Sequence, residues 1–168
     1  KYIDHAKGAY TWDVDGNKYL DYIMGCHPIN LGYADPDVNA AVIRQLEKGS
    51  TFSLMSELEV NVTELLIETI PCAEMARFGK NGADATTIGV RVARANTGRD
   101  HIAYCGYHGW HDWYIAANLA NIKNLNNHLL KNLTPAGVPN NLKNSSEPLK
   151  INDVHELIRK TKKKILLQ

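Results

Sequence analysis

Cysteine is scarce in this chain and is not arranged to brace a fold. Cys26, Cys72 and Cys105 are odd in number, far apart and form no CxxC pair, which excludes a disulfide scaffold and points to a reducing compartment, the cytoplasm. Long apolar runs are missing too. None nears the ~18 residues of a membrane span, and the opening residues do not read as a signal peptide. Neither charge sign dominates: 19 Lys and Arg against 18 Asp and Glu leave a formal +1, so no global field draws the chain to nucleic acid or an anionic membrane. The GxSxG, GxGxxG and Walker A patterns are all absent, which removes three common catalytic and phosphate-binding readings. Asp13 and Asp15 flank a turn and read as turn chemistry, not as an acid–base pair.

What the chain has is enough apolar material, 44% of 168 residues, for one globular core. Residues 9–22 alternate apolar and polar around Asp15-Gly16-Asn17, which predicts a hairpin with positive φ in the turn. Residues 25–34 form a loop. Asp35-Pro36 starts a helix with Val38, Ala41, Val42, Gln45 and Leu46 along one side and Gly49 past its end. Ser56-x-x-Glu59 is a capping box for a second helix, with Leu58, Val62, Leu65, Leu66 and Thr69 as its buried stripe and Pro71 as its stop. A third helix spans about 83–96 and ends at Thr97-Gly98. Ala85 and Gly89 are spaced for packing on a sheet, Ile88, Val92 and Ala95 continue the apolar side, and Arg91 and Arg94 face outward. His101–Cys105 is a short strand. Residues 118–148, rich in Asn and Lys and broken by prolines, read as a mobile loop or lid, with a helix possible over 124–132. Asn152 caps a last helix to about Lys163, whose basic cluster 160–164 reads as a solvated end. Ile165-Leu166-Leu167-Gln168 reads as the start of a buried strand. Strands alternating with helices after residue 75 predict an α/β fold with a parallel sheet.

The chemistry should lie where strands hand over to loops. Asn81-Gly82-Ala83-Asp84 opens the third helix, and the backbone N–H groups of Gly82, Ala83 and Asp84, with the helix dipole, suit a phosphate. The dipole contributes only ~0.3–1 kcal/mol, so the N–H groups carry most of the holding. A plain strand-to-helix turn explains the same residues. After the strand, glycines flank Tyr107-His108 and can present Tyr107 as a stacking platform for a flat heteroaromatic ring; a buried loop tyrosine is the plainer alternative. Cys105, His108, His111 and Asp112 are potential metal ligands, but their spacing matches no standard zinc pattern.

Taken in order, these segments resemble the class III aminotransferases, fold-type I enzymes dependent on pyridoxal 5′-phosphate, and most nearly the glutamate-1-semialdehyde 2,1-aminomutase branch. The match runs through Gly8–Asp21, Leu31-Gly32-Tyr33, Arg77-Phe78, Asn81–Ala85, Arg91–Ala95, Thr97–Asp100 and Tyr107-His108-Gly109-Trp110. The resemblance implies that Asn81, Gly82 and Ala83 bind the cofactor phosphate. It also implies that Tyr107, in its motif with His108, stacks on the pyridine ring and that Asp84 lies near the cofactor. Where the family often carries serine and threonine, this chain has Asn81 and Ala83, so Ala83 can offer only its backbone N–H. Further implications are a homodimer acting on a small-molecule amino donor and a keto or aldehyde acceptor. No catalytic residue falls within the chain: the Schiff-base lysine and the aspartate on the pyridine nitrogen are expected beyond Gln168. On this reading residues 1–48 belong to the small domain and 49–168 to the first part of the PLP-binding large domain, and the piece alone is inactive. Amino transfer and intramolecular amino migration remain alternatives, as does a non-catalytic module that binds a phosphorylated ligand or a partner chain.

Overall fold

The computed structural model describes residues 1–128 and 131–165, the last five by backbone alone. Two compact units divide the chain, Lys1–Ala73 and Glu74–Gln168.

In the first unit, β1 (Ile3–Lys7), β2 (Tyr10–Asp13) and β3 (Lys18–Leu20) form an antiparallel meander. The predicted hairpin is β2–β3, with Trp12 opposite Lys18. Of the turn residues only Gly16 is left-handed, at φ +84°, because Asp13 does the rest of the work. Its carboxylate accepts from the N–H groups of Asp15 (3.1 Å) and Asn17 (2.9 Å), from the Asn17 amide, and from the Tyr19 hydroxyl at 2.7 Å. The Tyr19 bond is the largest cause holding the Asp13 pKa down at about 2. On the strand surface His5 stacks on Trp12, centroids 4.8 Å apart, and the Lys18 ammonium sits 3.8 Å from the Tyr10 ring centroid. Helices α1 (Pro36–Leu46) and α2 (Glu57–Thr69) begin as predicted. The Asp35 side chain accepts from Asp37 and Val38 N–H, and Glu59 reaches back to the Ser56 N–H at 2.8 Å.

Their apolar stripes are not buried. Leu58, Val62 and Leu65 are 50%, 44% and 61% exposed, and Val38, Val42 and Leu46 are similarly open. No other element packs broadly over these faces among the described residues, so amphipathic periodicity here marks a face without its cover.

In the second unit α3 (Gly82–Thr97) ends on left-handed Gly98 and leads to β4 (Ile102–Cys105), which pairs in parallel with β5 (Ser146–Leu149). Between them lie two short helices, α4 (Asp112–Ile115) and α5 (Ala117–Ala120), and a 3₁₀ turn at Asn140–Leu142. The expected lid over 118–148 is therefore wrong. Asn118, Leu125 and Ser146 are buried, and Leu133 and Val138 pack on the core of Tyr104, Trp113, Tyr114, Ile115, Ala117 and Leu125. Asparagine misled the reading because here it serves as internal hydrogen-bonding mortar. Asn118 donates to Leu133 O (2.6 Å) and accepts from Leu125 N–H, while Asn124 donates to Ala117 O. In place of a helix over 124–132, successive turns run to His128; residues 129–130 lie outside the described set.

Helix α6 (Val154–Ile165) is capped by Asp153, whose carboxylate accepts from Glu156 N–H at 2.8 Å. Asn152 is left-handed instead, at φ +63°. Lys160 is no solvated end: its ammonium bonds Pro148 O (2.8 Å), Glu156 (3.0 Å) and Glu147 (3.2 Å), fastening α6 to β5. Ile165 belongs to the helix backbone, and the strand expected over 165–168 otherwise lies outside the described residues. No helix among the described residues is long and apolar enough to cross a membrane.

Candidate functional site

Asn81 caps α3: its side-chain oxygen accepts from Asp84 N–H at 2.9 Å. That bond removes Asp84 from the three N–H groups expected to be free. Gly82 and Ala83 keep theirs, at the positive end of a 16-residue helix.

The loop after β4 comes down on this turn. At Gly109, φ is +98°, and a Cβ there would lie 2.5 Å from the Ala83 Cβ. Only glycine allows the loop so close. Side chains of α3 then fasten it. Thr86 Oγ1 lies 3.0 Å from Ala83 O and 3.2 Å from His108 O, and donates to one of them at a time. Thr87 Oγ1 accepts from Trp113 Nε1–H at 3.0 Å and is 2.8 Å from His111 Nδ1. The other ring nitrogen of His111 is 3.6 Å from the Asp84 carboxylate. One face of α3, through Ala83, Thr86, Thr87 and Val90, is thereby covered. The face expected to lie on a sheet is open: Ala85, Gly89 and Ala95 are exposed and Val92 is 61% exposed.

Tyr107 stands at the rim of this joint, 44% exposed and edge-on to Tyr114 with centroids 5.6 Å apart. It is neither buried nor wholly free, so a ring surface remains available. His108 turns back, donating from Nε2 to Cys105 O at 2.7 Å, and packs edge-on against Tyr104. The potential metal ligands do not converge: His108 and His111 are engaged separately, and among the described residues no group of three His, Cys, Asp or Glu side chains is placed to hold an ion.

Asn81, Gly82, Ala83, Asp84, Tyr107 and His108 are thus assembled at one joint. Sequence reading missed Thr86, Thr87 and Trp113, which make it, and weighed His111 only as a potential metal ligand. Two adjacent threonines in the first turns of a helix were the available signal, since such hydroxyls need acceptors nearby.

At this joint the N-terminus of α3 meets, through Gly109, the loop that carries the half-exposed Tyr107 after a parallel strand. Residues 1–166 match the aminotransferase class-III family model, and the chain belongs to that family. It is 49% identical over 106 residues to the 3-aminobutyryl-CoA aminotransferase of Cloacimonas acidaminovorans (strain Evry), covering 62% of this chain and 26% of that protein. It is also 49% identical over 98 residues to the glutamate-1-semialdehyde 2,1-aminomutase of Thermoplasma volcanium, covering 58% and 23%. Among solved structures it is similar to the Sphingopyxis sp. MTA144 FumI protein in its PLP internal aldimine form, with 30% identity and a TM-score of 0.78 over 96% of this chain and 36% of that one. The α/β fold is accordingly part of a fold-type I transferase. The chain spans about a quarter of the length of the curated relatives it matches.

Proposed function

We propose that this chain is the first part of a pyridoxal-phosphate-dependent aminotransferase, and that the α3–loop joint holds the cofactor. The observation that carries the reading is the seating of Gly109 on Ala83, which sets the Tyr107 loop against the two free N–H groups. The fit is chemical: Gly82 and Ala83 N–H can donate to phosphate oxygens, and no side chain stands at Gly82 to block them. Asn81 keeps its amide N–H₂ as a further donor. Tyr107 offers its exposed ring for stacking, and His108, tied to Cys105 O, fixes the loop that carries it. The Asp84 carboxylate, on the same turn, lies 3.6 Å from a ring nitrogen of His111. Bound pyridoxal phosphate would supply the electron sink that lets a bond to the substrate's amino-bearing carbon break.

Neither the Schiff-base lysine nor the aspartate for the pyridine nitrogen has a match among these residues, so amino transfer needs the remainder of the parent protein and this chain alone is inactive. The parent is a homodimer in which residues 1–48 belong to the small domain and 49–168 to the large one. Its substrates are a small amino donor and a keto or aldehyde acceptor, handled in the cytoplasm. Intramolecular amino migration is the second reading, supported by the 49% identity to an aminomutase, which equals that to the aminotransferase. An isotope-labelled external amino donor separates them: label enters the product only in transfer.

Gly82→Pro tests the site in the full-length protein. Proline suits the first position of a helix, and the residue before it, Asn81, is already extended at φ −144°. The fold should persist while one N–H is lost. Pyridoxal phosphate affinity, read from the visible absorbance of the bound cofactor, should fall about tenfold or more for one charge-assisted hydrogen bond of ~1.5–3 kcal/mol. An unchanged affinity removes the phosphate assignment.

A further inference from the structure

β4 and β5 run parallel with Cys105 opposite Leu149, so both strands release their chains at one edge. A cavity of about 670 Å³ opens there, lined among others by Gly106, Lys123, His128, Lys150, Glu156 and Lys160. It is a different place from the Gly82–Ala83 turn, but it begins at Gly106, the residue before Tyr107. Open parallel sheets receive ligands outside the carboxyl ends of their strands.

The charges on the wall do not cancel. Lys160 is committed to Glu147 and Glu156, and the second Glu156 oxygen accepts the backbone N–H of Lys150 at 2.9 Å. The Lys150 ammonium feels Glu156 at longer range, yet neither it nor the Lys123 ammonium is in an ion pair among the described residues. His128 adds an imidazole ring. Its Nδ1 is 3.1 Å from the Tyr114 hydroxyl, and burial, pushing the Tyr114 pKa up to about 12, keeps that hydroxyl protonated. A hydroxyl both donates and accepts, so this contact fixes the position of the ring and leaves Nε2 as its second polar atom. Tyr114 also packs edge-on against Tyr107, so the cavity wall and the stacking platform share one support.

We propose that this cavity is an anion subsite, in which Lys123, Lys150 and His128 bind a carboxylate or phosphate group carried by a substrate that extends past the Tyr107 ring. The inference rests on the proposed function for the word substrate; the anion site itself does not. It selects donors or acceptors that bear a second anionic group distant from the reacting carbon.

The test is calorimetric titration of the full-length, cofactor-loaded protein with succinate and, separately, with inorganic phosphate. Wild type is compared with Lys123→Gln/Lys150→Gln and with Lys131→Gln/Lys143→Gln, which removes the same charge from exposed positions not among the lining residues. One probe should bind the wild type and lose about tenfold or more in affinity in the first variant only, two charge-assisted contacts being removed. Which probe responds tells whether the natural group is a carboxylate or a phosphate. Equal loss in both variants, no loss in the first, or no binding of either probe to the wild type overturns the subsite. Cofactor absorbance is followed in parallel: its absence would overturn the aminotransferase reading while leaving the titration legible.

Discussion

The two units of this chain reach order by opposite means. In Lys1–Ala73 the single buried residue is an aspartate, Asp13, while leucines and valines of both helices stay open. In Glu74–Gln168 the buried set among the described residues is mostly aromatic and aliphatic, with Asn118 and Ser146 among it, and Tyr104 makes ring contacts to His108, Trp113, Tyr114 and His128. The first unit is held by local hydrogen bonds within a meander, the second by non-local burial. The α3–loop joint belongs to the second, where each placed group is backed by packing that an open hairpin lacks.

The widest separation of the two should come from Tyr114→Ala. Removing a ring 1% exposed costs on the order of 3–5 kcal/mol, and near-ultraviolet circular dichroism against denaturant should show the aromatic core melting early while hairpin signals keep their midpoint. A common shift of both would mean the units unfold as one. Gly109→Ala is the next test. Its Cβ cannot occupy the space of the Ala83 Cβ, so the loop must lift at a cost of about 1–3 kcal/mol, and cofactor affinity should drop with little change in hairpin stability. The smallest effect is expected from pH. Because folding lowers the Asp13 pKa from 3.8 to about 2, its contribution is complete above pH 3.8 and is lost as pH falls toward 2. Trp12 fluorescence should follow that window and should lose the transition in Asp13→Asn.

Local chemistry was legible in the sequence. Asp35-Pro36, Ser56 with Glu59, Asn81, Gly98 and the turn around Gly16 each specify a boundary through one or two hydrogen bonds or a φ value, and each lies where it was expected. The six proposed site residues were picked out by motif order and not by geometry. Burial was not, because a stripe such as Leu58-Val62-Leu65 states only that a cover is wanted. Nor could composition distinguish asparagines in a loop from asparagines inside a core; Asn118 and Asn124 differ from their solvent-facing neighbours solely in what the chain brings over them. The shift of the last cap from Asn152 to Asp153 is a one-residue matter that depends on which side-chain oxygen meets the Glu156 N–H.

The parallel pairing of β4 with β5 also sets an order of events in time. Ile102 meets Ser146, and among the described residues no strand between them pairs with β4. During synthesis the first strand therefore leaves the ribosome with an unpaired edge and waits for the whole connection to follow before it is zipped. Closing so long a loop before any pairing is gained slows folding, so the nascent chain passes through an interval in which β4 is open to wrong partners. The same ladder that steadies Tyr107 in the finished protein is thus the step at which a cell's chaperones would have most to protect.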